Sequence, residues 1–177
     1  MDGDGTLDDL GRELRQRVGN EMRLEAEMLE QDAASVEMRR RELGDVAVEL
    51  MSRGDLVTVI AGDRQIQGRL EFARGEVASL MTSSGLVDVH LTPGVVLRVD
   101  QRSSAGGKSP RSGSETMRAR LLEHELSSRR VTVWSPALAA EVAGLIVAVG
   151  KDHVILSDID AVEWVLRLED VAWALAD

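Results

Sequence analysis

The chain has no cysteine and no tyrosine, one phenylalanine, three prolines and only two lysines. Without cysteine there is neither a disulfide framework nor a thiolate metal site, which fits a reducing compartment. No apolar run approaches the roughly 20 residues of a membrane-spanning helix, so contact with a membrane is not expected. The first residues, Met1-Asp-Gly-Asp-Gly-Thr6, lack the basic start and apolar core of a signal peptide. The expected location is therefore the cytoplasm. With one Phe and three Trp, few rings are available to stack on nucleic-acid bases.

What is present is a chain of 177 residues, 44% hydrophobic, with a net charge of −10. That length suffices for one ordinary domain or two small ones, and small cores need a packed helix, each other or a partner subunit. The charge is uneven. Residues 1–50 carry 14 acids against 7 bases, residues 131–177 carry 8 against 2, and only residues 101–130 are basic, with 7 bases against 3 acids. An acidic protein repels phosphate backbones unless a local basic patch overrides the field.

Apolar residues step along the first 50 positions at intervals of three and four: Leu7, Leu10, Leu14, Val18, Met22, Ala26, Leu29, Ala33, Val36, Leu43, Ala47 and Leu50, with Arg40 the one polar member. The stripe predicts an acidic amphipathic helix or helical hairpin over 1–50. Its mean step of about 3.6 suits a helix packed on a neighbour at least as well as a supercoiled pair. Thr6 is the expected N-cap, and a break is expected near Gly44 or the polar stretch before it.

From residue 55 the period becomes that of β-structure. Leu56-Val-Thr-Val-Ile60, Ile66–Phe72, Glu76–Met81, Leu86–Leu91 and Val95–Val99 predict five short strands with tight turns, a meander that closes into a small barrel over 51–100. Residues 101–115 are nearly free of apolar side chains and predict a flexible linker. A helix capped by Ser114 or Thr116 and five more strands follow over 116–177. The second set echoes the first: Val131 lies 74 residues after Val57, Gly144 lies 76 after Gly68, and Gly150 lies 75 after Gly75. That spacing predicts an internal duplication with slips at turns.

A helix followed by five bent strands, with a glycine in mid-strand at Gly68 and again at Gly144, resembles the Sm-like family of small barrels. The resemblance implies an α+β, mainly β fold: two tandem five-stranded Sm-like barrels, each preceded by a helix. The duplication, the helical N-terminus and the Arg-rich linker also look like an uncharacterised actinobacterial group, some members of which are automatically labelled Fis-family transcriptional regulators. Sm-like proteins that bind RNA carry Asp and Asn in the loop after the third-strand region and an Arg-Gly pair late in the barrel. Here the pair within the strands, Arg74-Gly75, falls between the second and third, and the loop before the fourth reads Thr82-Ser-Ser-Gly85.

No catalytic, cofactor or metal site is expected. Asp2-Gly-Asp-Gly-Thr6 mimics the aspartate nucleophile motif of haloacid-dehalogenase phosphatases but lacks the preceding strand that the motif requires. It also brushes an EF-hand loop, with Leu7 where the turning glycine belongs. His90, His124 and His153 lack a zinc-ligand spacing, and Asp158, Asp160 and Glu163 read as a solvated acidic loop. Arg102, Lys108, Arg111, Arg118, Arg120, Arg129 and Arg130 form the basic segment, a contact for an acidic partner or a polyanion. Trp134, Trp164 and Trp173 are candidate interface residues. The expectation is a non-enzymatic protein-interaction, scaffold or regulatory module that self-associates or docks on a protein partner. The alternative is a nucleic-acid-associated regulator working through residues 102–130.

Overall fold

The computed structural model describes residues 5–92, 94–110 and 112–176. The chain divides into two compact units, the first ending at Arg41 and the second running from Glu42. The first unit is one helix, α1 (Gly5–Arg40). Thr6 lies inside α1, and its side chain falls outside the described ones, as do those of Leu7, Leu10, Leu14 and Ala33. No helix among the described residues is long and apolar enough to cross a membrane.

The second unit opens with α2 (Leu43–Arg53), which starts in a capping box between Glu42 and Asp45 and ends at Gly54 in the left-handed region. The helical break thus falls at Arg41 and Glu42, before Gly44 rather than at it. Gly44 is buried inside α2, where a Cβ would overlap the Gly75 carbonyl oxygen, so close approach to a turn explains its place in a helix. Ten strands follow: β1 (Leu56–Ala61), β2 (Arg64–Arg74), β3 (Val77–Thr82), β4 (Gly85–His90), β5 (Val95–Gln101), then β6 (Arg130–Ser135), β7 (Ala140–Val149), β8 (His153–Ser157), β9 (Glu163–Arg167) and β10 (Trp173–Ala176). Between β5 and β6 lies α3 (Met117–Leu126), whose N-cap Thr116 accepts from the Ala119 N–H at 3.2 Å.

These strands do not make two closed barrels. They form one antiparallel sheet in the order β5-β1-β2-β3-β4-β10-β6-β7-β8-β9. Closing the first set would need β4 to find β5. Instead β4 pairs with β10, matching Trp173 to Val89, Ala174 to Asp88 and Leu175 to Val87. Hydrophobic alternation states that a strand has a buried face but not which edge its backbone groups will find, and either pairing satisfies them.

Both long strands bend. The first part of β2 pairs with β1 and its second part with β3, with an irregularity between Leu70 and Phe72; β7 divides in the same way between β6 and β8, between Ile146 and Ala148. At Gly68 a Cβ would overlap the Met81 carbonyl oxygen, and at Gly144 that of Ser157, so the turn of each sheet half requires a residue without one.

Two cores result, and each half lends to the other. The first joins Ala47, Leu50 and Met51 of α2 to β1–β4, but also takes Trp134 of β6 and Trp173 of β10. The second gathers Met117 and Leu121 of α3 with β6–β9, and takes Val77 from β3.

Candidate functional site

Of the basic segment, Arg111 lies outside the described residues, and the others disperse rather than form a patch. Arg102 is exposed at the end of β5, and Lys108 pairs with Glu71 at 3.0 Å. On α3, Arg118 donates to the Gly150 carbonyl at 2.7 Å, while Arg120 turns the other way into the sheet. Arg129 is exposed and Arg130 starts β6. Residues 101–110 do not hang free. Ser103 donates its N–H to the buried Asp55 carboxylate at 2.8 Å, and the Gly107 and Lys108 N–H groups bond the last carbonyls of α2, those of Ser52 and Met51. Burial raises the Asp55 pKa, but the Ser103 N–H and the Arg53 guanidinium outweigh it and hold the carboxyl below its usual range. On β5 itself, Asp100 accepts from the Thr58 hydroxyl, from Gln67 at 2.7 Å and from Arg98 at 2.7 Å, which lowers it to about 2.

The most concentrated polar site takes Arg120 and His124 from the residues the sequence drew attention to, but its centre, Asp88 with Ser79, was not among them. Asp88, buried on β4, accepts from the Ser79 hydroxyl at 2.5 Å and from His124 Nε2 at 2.9 Å. Arg120 brings its Nε to 3.2 Å from the same carboxylate, donates Nη2 to Ser79 at 3.0 Å, and lies 5.2 Å from the centre of the Phe72 ring. Serine, aspartate and histidine meet here in an order that does not activate a nucleophile: Ser79 bonds the carboxylate, not the imidazole. What the cluster does is anchor α3 to β3 and β4, with Asp88 directly opposite Ala174 in the β4–β10 junction. Sequence reasoning had no signal for it, since Val87, Asp88, Val89 and His90 alternate as in a half-exposed strand, and it is the packing of α3 against β4 that buries Asp88.

The junction also carries the tryptophans. Trp134 donates its indole N–H to the Ala61 carbonyl at 3.0 Å and stacks on Trp173, with centroids 6.0 Å apart. Both are core residues between the halves. Trp164 is separate, on the outer strand β9, where its indole N–H bonds Asp158 at 3.0 Å. Asp158 also accepts the Asp160 and Val162 N–H groups, and with the Trp164 bond foremost its pKa is held below the usual range. Its loop contacts account for this acid without a cation.

A groove of about 830 Å³ runs beside the junction, lined among others by Gln65, Gln67, Ser83, Ser84, Trp173 and Leu175. Its lining contains no histidine, and its Arg69 donates to the Gly54 carbonyl. The groove can bind, but neither serine meets an imidazole base there. The three histidines stand apart: His90 bonds the Val171 carbonyl at 3.1 Å, His124 holds Asp88, and His153 lies against Asp152. Among the described residues no group of three or more His, Cys, Asp or Glu is placed to hold a metal ion. Asp2 and Asp4, the two acids of the phosphatase-like motif, lie outside the described residues.

Comparison of the chain with protein-family models, curated proteins and solved structures gave no match.

Proposed function

We propose that this protein is a non-enzymatic assembly module in which α1 binds a second copy of the chain. The observation that carries the reading is an exposed apolar row on α1. Met22, Leu29 and Val36 recur every seven residues with Ala26 between the first two, and Met22 and Leu29 are 66% and 70% exposed. A helix of 36 residues that leaves such a row in water gains by covering it with another helix, and the seven-residue spacing suits a like partner. The dispersal of Arg118, Arg120 and Lys108 onto separate partners gives the nucleic-acid alternative no comparable support.

Light scattering on the purified full chain, with the 260/280 nm absorbance ratio read at low and high salt, tests this. The expected result is a nucleic-acid-free oligomer that loses mass in the double variant Met22→Glu, Leu29→Glu. An unchanged mass in that variant removes the proposal. Bound nucleic acid released by salt promotes the alternative.

A further inference from the structure

Strand β2 leaves half of one edge without a partner. Residues 64–69 pair with β1 on one side, and the ladder to β3 on the other side begins only at Arg69, opposite Met81. From Arg64 to Gly68 that second edge has no ladder partner among the described residues. The stretch carries neither proline nor lysine, the usual guards of an exposed edge.

The register says which backbone groups are left over. Ala61 and Arg64 flank the two-residue turn Gly62-Asp63 and so form a hydrogen-bonded pair. Along an antiparallel ladder such pairs alternate with pairs whose N–H and C=O groups aim away from each other. Ile66 and Gly68 therefore bond Val59 and Val57 of β1, whereas Gln65 and Gln67 aim their backbone groups outward, in phase with Arg69.

Those groups face the groove of about 830 Å³ beside the junction, to which Gln65, Ile66, Gln67 and Gly68 all contribute. Strands β6 and β10 add Thr132, Trp173 and Leu175. The charged residues that reach the groove are already engaged: Arg69 with the Gly54 carbonyl, Glu71 with Lys108 at 3.0 Å, and Glu141 with Arg64 at 3.8 Å. What remains for an occupant is neutral, namely backbone amides, hydroxyls and apolar side chains.

We infer that this groove takes an extended peptide segment of a partner protein, added as a strand to the free edge of β2, in line with β3 and bonded to the backbone of Gln65 and Gln67. An anion would find Arg69 occupied, and a ligand without the alternating donors and acceptors of a strand would leave the outward groups unpaired. The free edge spans roughly 17 Å at about 3.4 Å per residue, so the segment is about five residues long. It is uncharged, with apolar side chains at alternate positions to meet Trp173 and Leu175 and hydroxyl or amide side chains between. The site makes no use of α1, so this reading and the self-association of α1 stand or fall separately.

Residue-resolved amide hydrogen exchange on the full chain tests this. The probe is the best-retained member of a pool of capped peptides of about seven residues, serine or threonine alternating with valine, leucine or phenylalanine, selected on the immobilised protein. At saturation, exchange at the Gln65 and Gln67 amides should slow at least about tenfold, while Glu141 and Ala143, on the corresponding part of β7, stay unchanged. Gln65→Pro removes one outward N–H at an edge position where proline is tolerated, and should weaken binding at least about tenfold. Gln65→Ala keeps that N–H and should bind within about twofold of the native chain. An arm that leaves the protein untouched methylates alternate backbone nitrogens of the peptide; the set that faces β2 should abolish binding. Retained binding with either set methylated, unchanged exchange at Gln65 and Gln67, protection of both amides in the free chain, or a pool from which nothing is retained overturns the proposal. The Met22→Glu, Leu29→Glu variant should bind the probe as the native chain does, whatever its mass.

Discussion

Beside β1–β5, α2 presses Ala47, Leu50 and Met51 into the first core, the buried Asp55 holds Ser103, and the Ser52 and Met51 carbonyls hold Gly107 and Lys108. Beside β6–β10, α3 supplies Met117 and Leu121, and its polar face reaches back across the seam to Asp88 of the other half. The strand order and the glycine bends are common to both halves, while the helices and buried charges are not. The difference teaches that the pairing frame depends on backbone geometry, and that the union of the halves depends on a few side chains at the seam: Trp134, Trp173, Asp88 and Arg120.

The strongest way to break the comparison is at the bends. Gly144→Val and Gly68→Val each drive a side chain into a backbone carbonyl, and each should cost about 5 kcal/mol or more. Circular dichroism and thermal melting should show no cooperative native transition. If only one of the two is damaging, the halves do not share their bend requirement.

At the seam, Trp134→Ala removes the largest fully buried side chain, its stacking on Trp173 and its bond to Ala61. The expected loss is about 3–5 kcal/mol by denaturant titration. Arg120→Met leaves Asp88 with Ser79 and His124 but no guanidinium, and should cost about 2–3 kcal/mol. Combining it with Asp88→Asn should recover part of that loss, because an uncompensated buried charge is worse than none.

The acids of the first half sharpen the comparison through pH. Asp100 has a folded pKa of about 2 against an ordinary 3.8, and Asp55 is also lowered. A lowered carboxylate stabilises the fold above its unfolded pKa and loses that contribution as pH falls through the folded value. The melting-temperature gap between the native chain and Asp100→Asn should therefore be full above pH 5 and close toward pH 2. A gap that stays constant over this range removes the assignment. The smallest effect is expected at Val165→Lys, exposed on β9, which should change denaturant stability by no more than about 0.5 kcal/mol.

All ten strands were legible in the sequence, because alternation and turn residues are local signals, and the break before α2 lay in the polar stretch ahead of Gly44. The closed barrels were not borne out. The expectation rested on each meander meeting its own end, whereas β4 met β10. The linker reading missed that residues 103–108 bond α2, since polar composition does not show that backbone N–H groups will find helix-end carbonyls. Arg120 was singled out as a surface cation, yet it serves the Asp88 cluster, and its partner comes from a strand 32 residues earlier.

The sequence by itself determined the elements: an acidic helical segment with its apolar row, left open between one helix and a hairpin, the ten strands and the two glycine bends, all of which follow from the spacing of side chains along a chain. Only the tertiary structure decided which strand edges meet, which half buries Trp134, and that Asp88 collects Ser79, Arg120 and His124. Those outcomes depend on contacts between residues far apart in the chain, and the pattern that makes a strand carries no address for its neighbour.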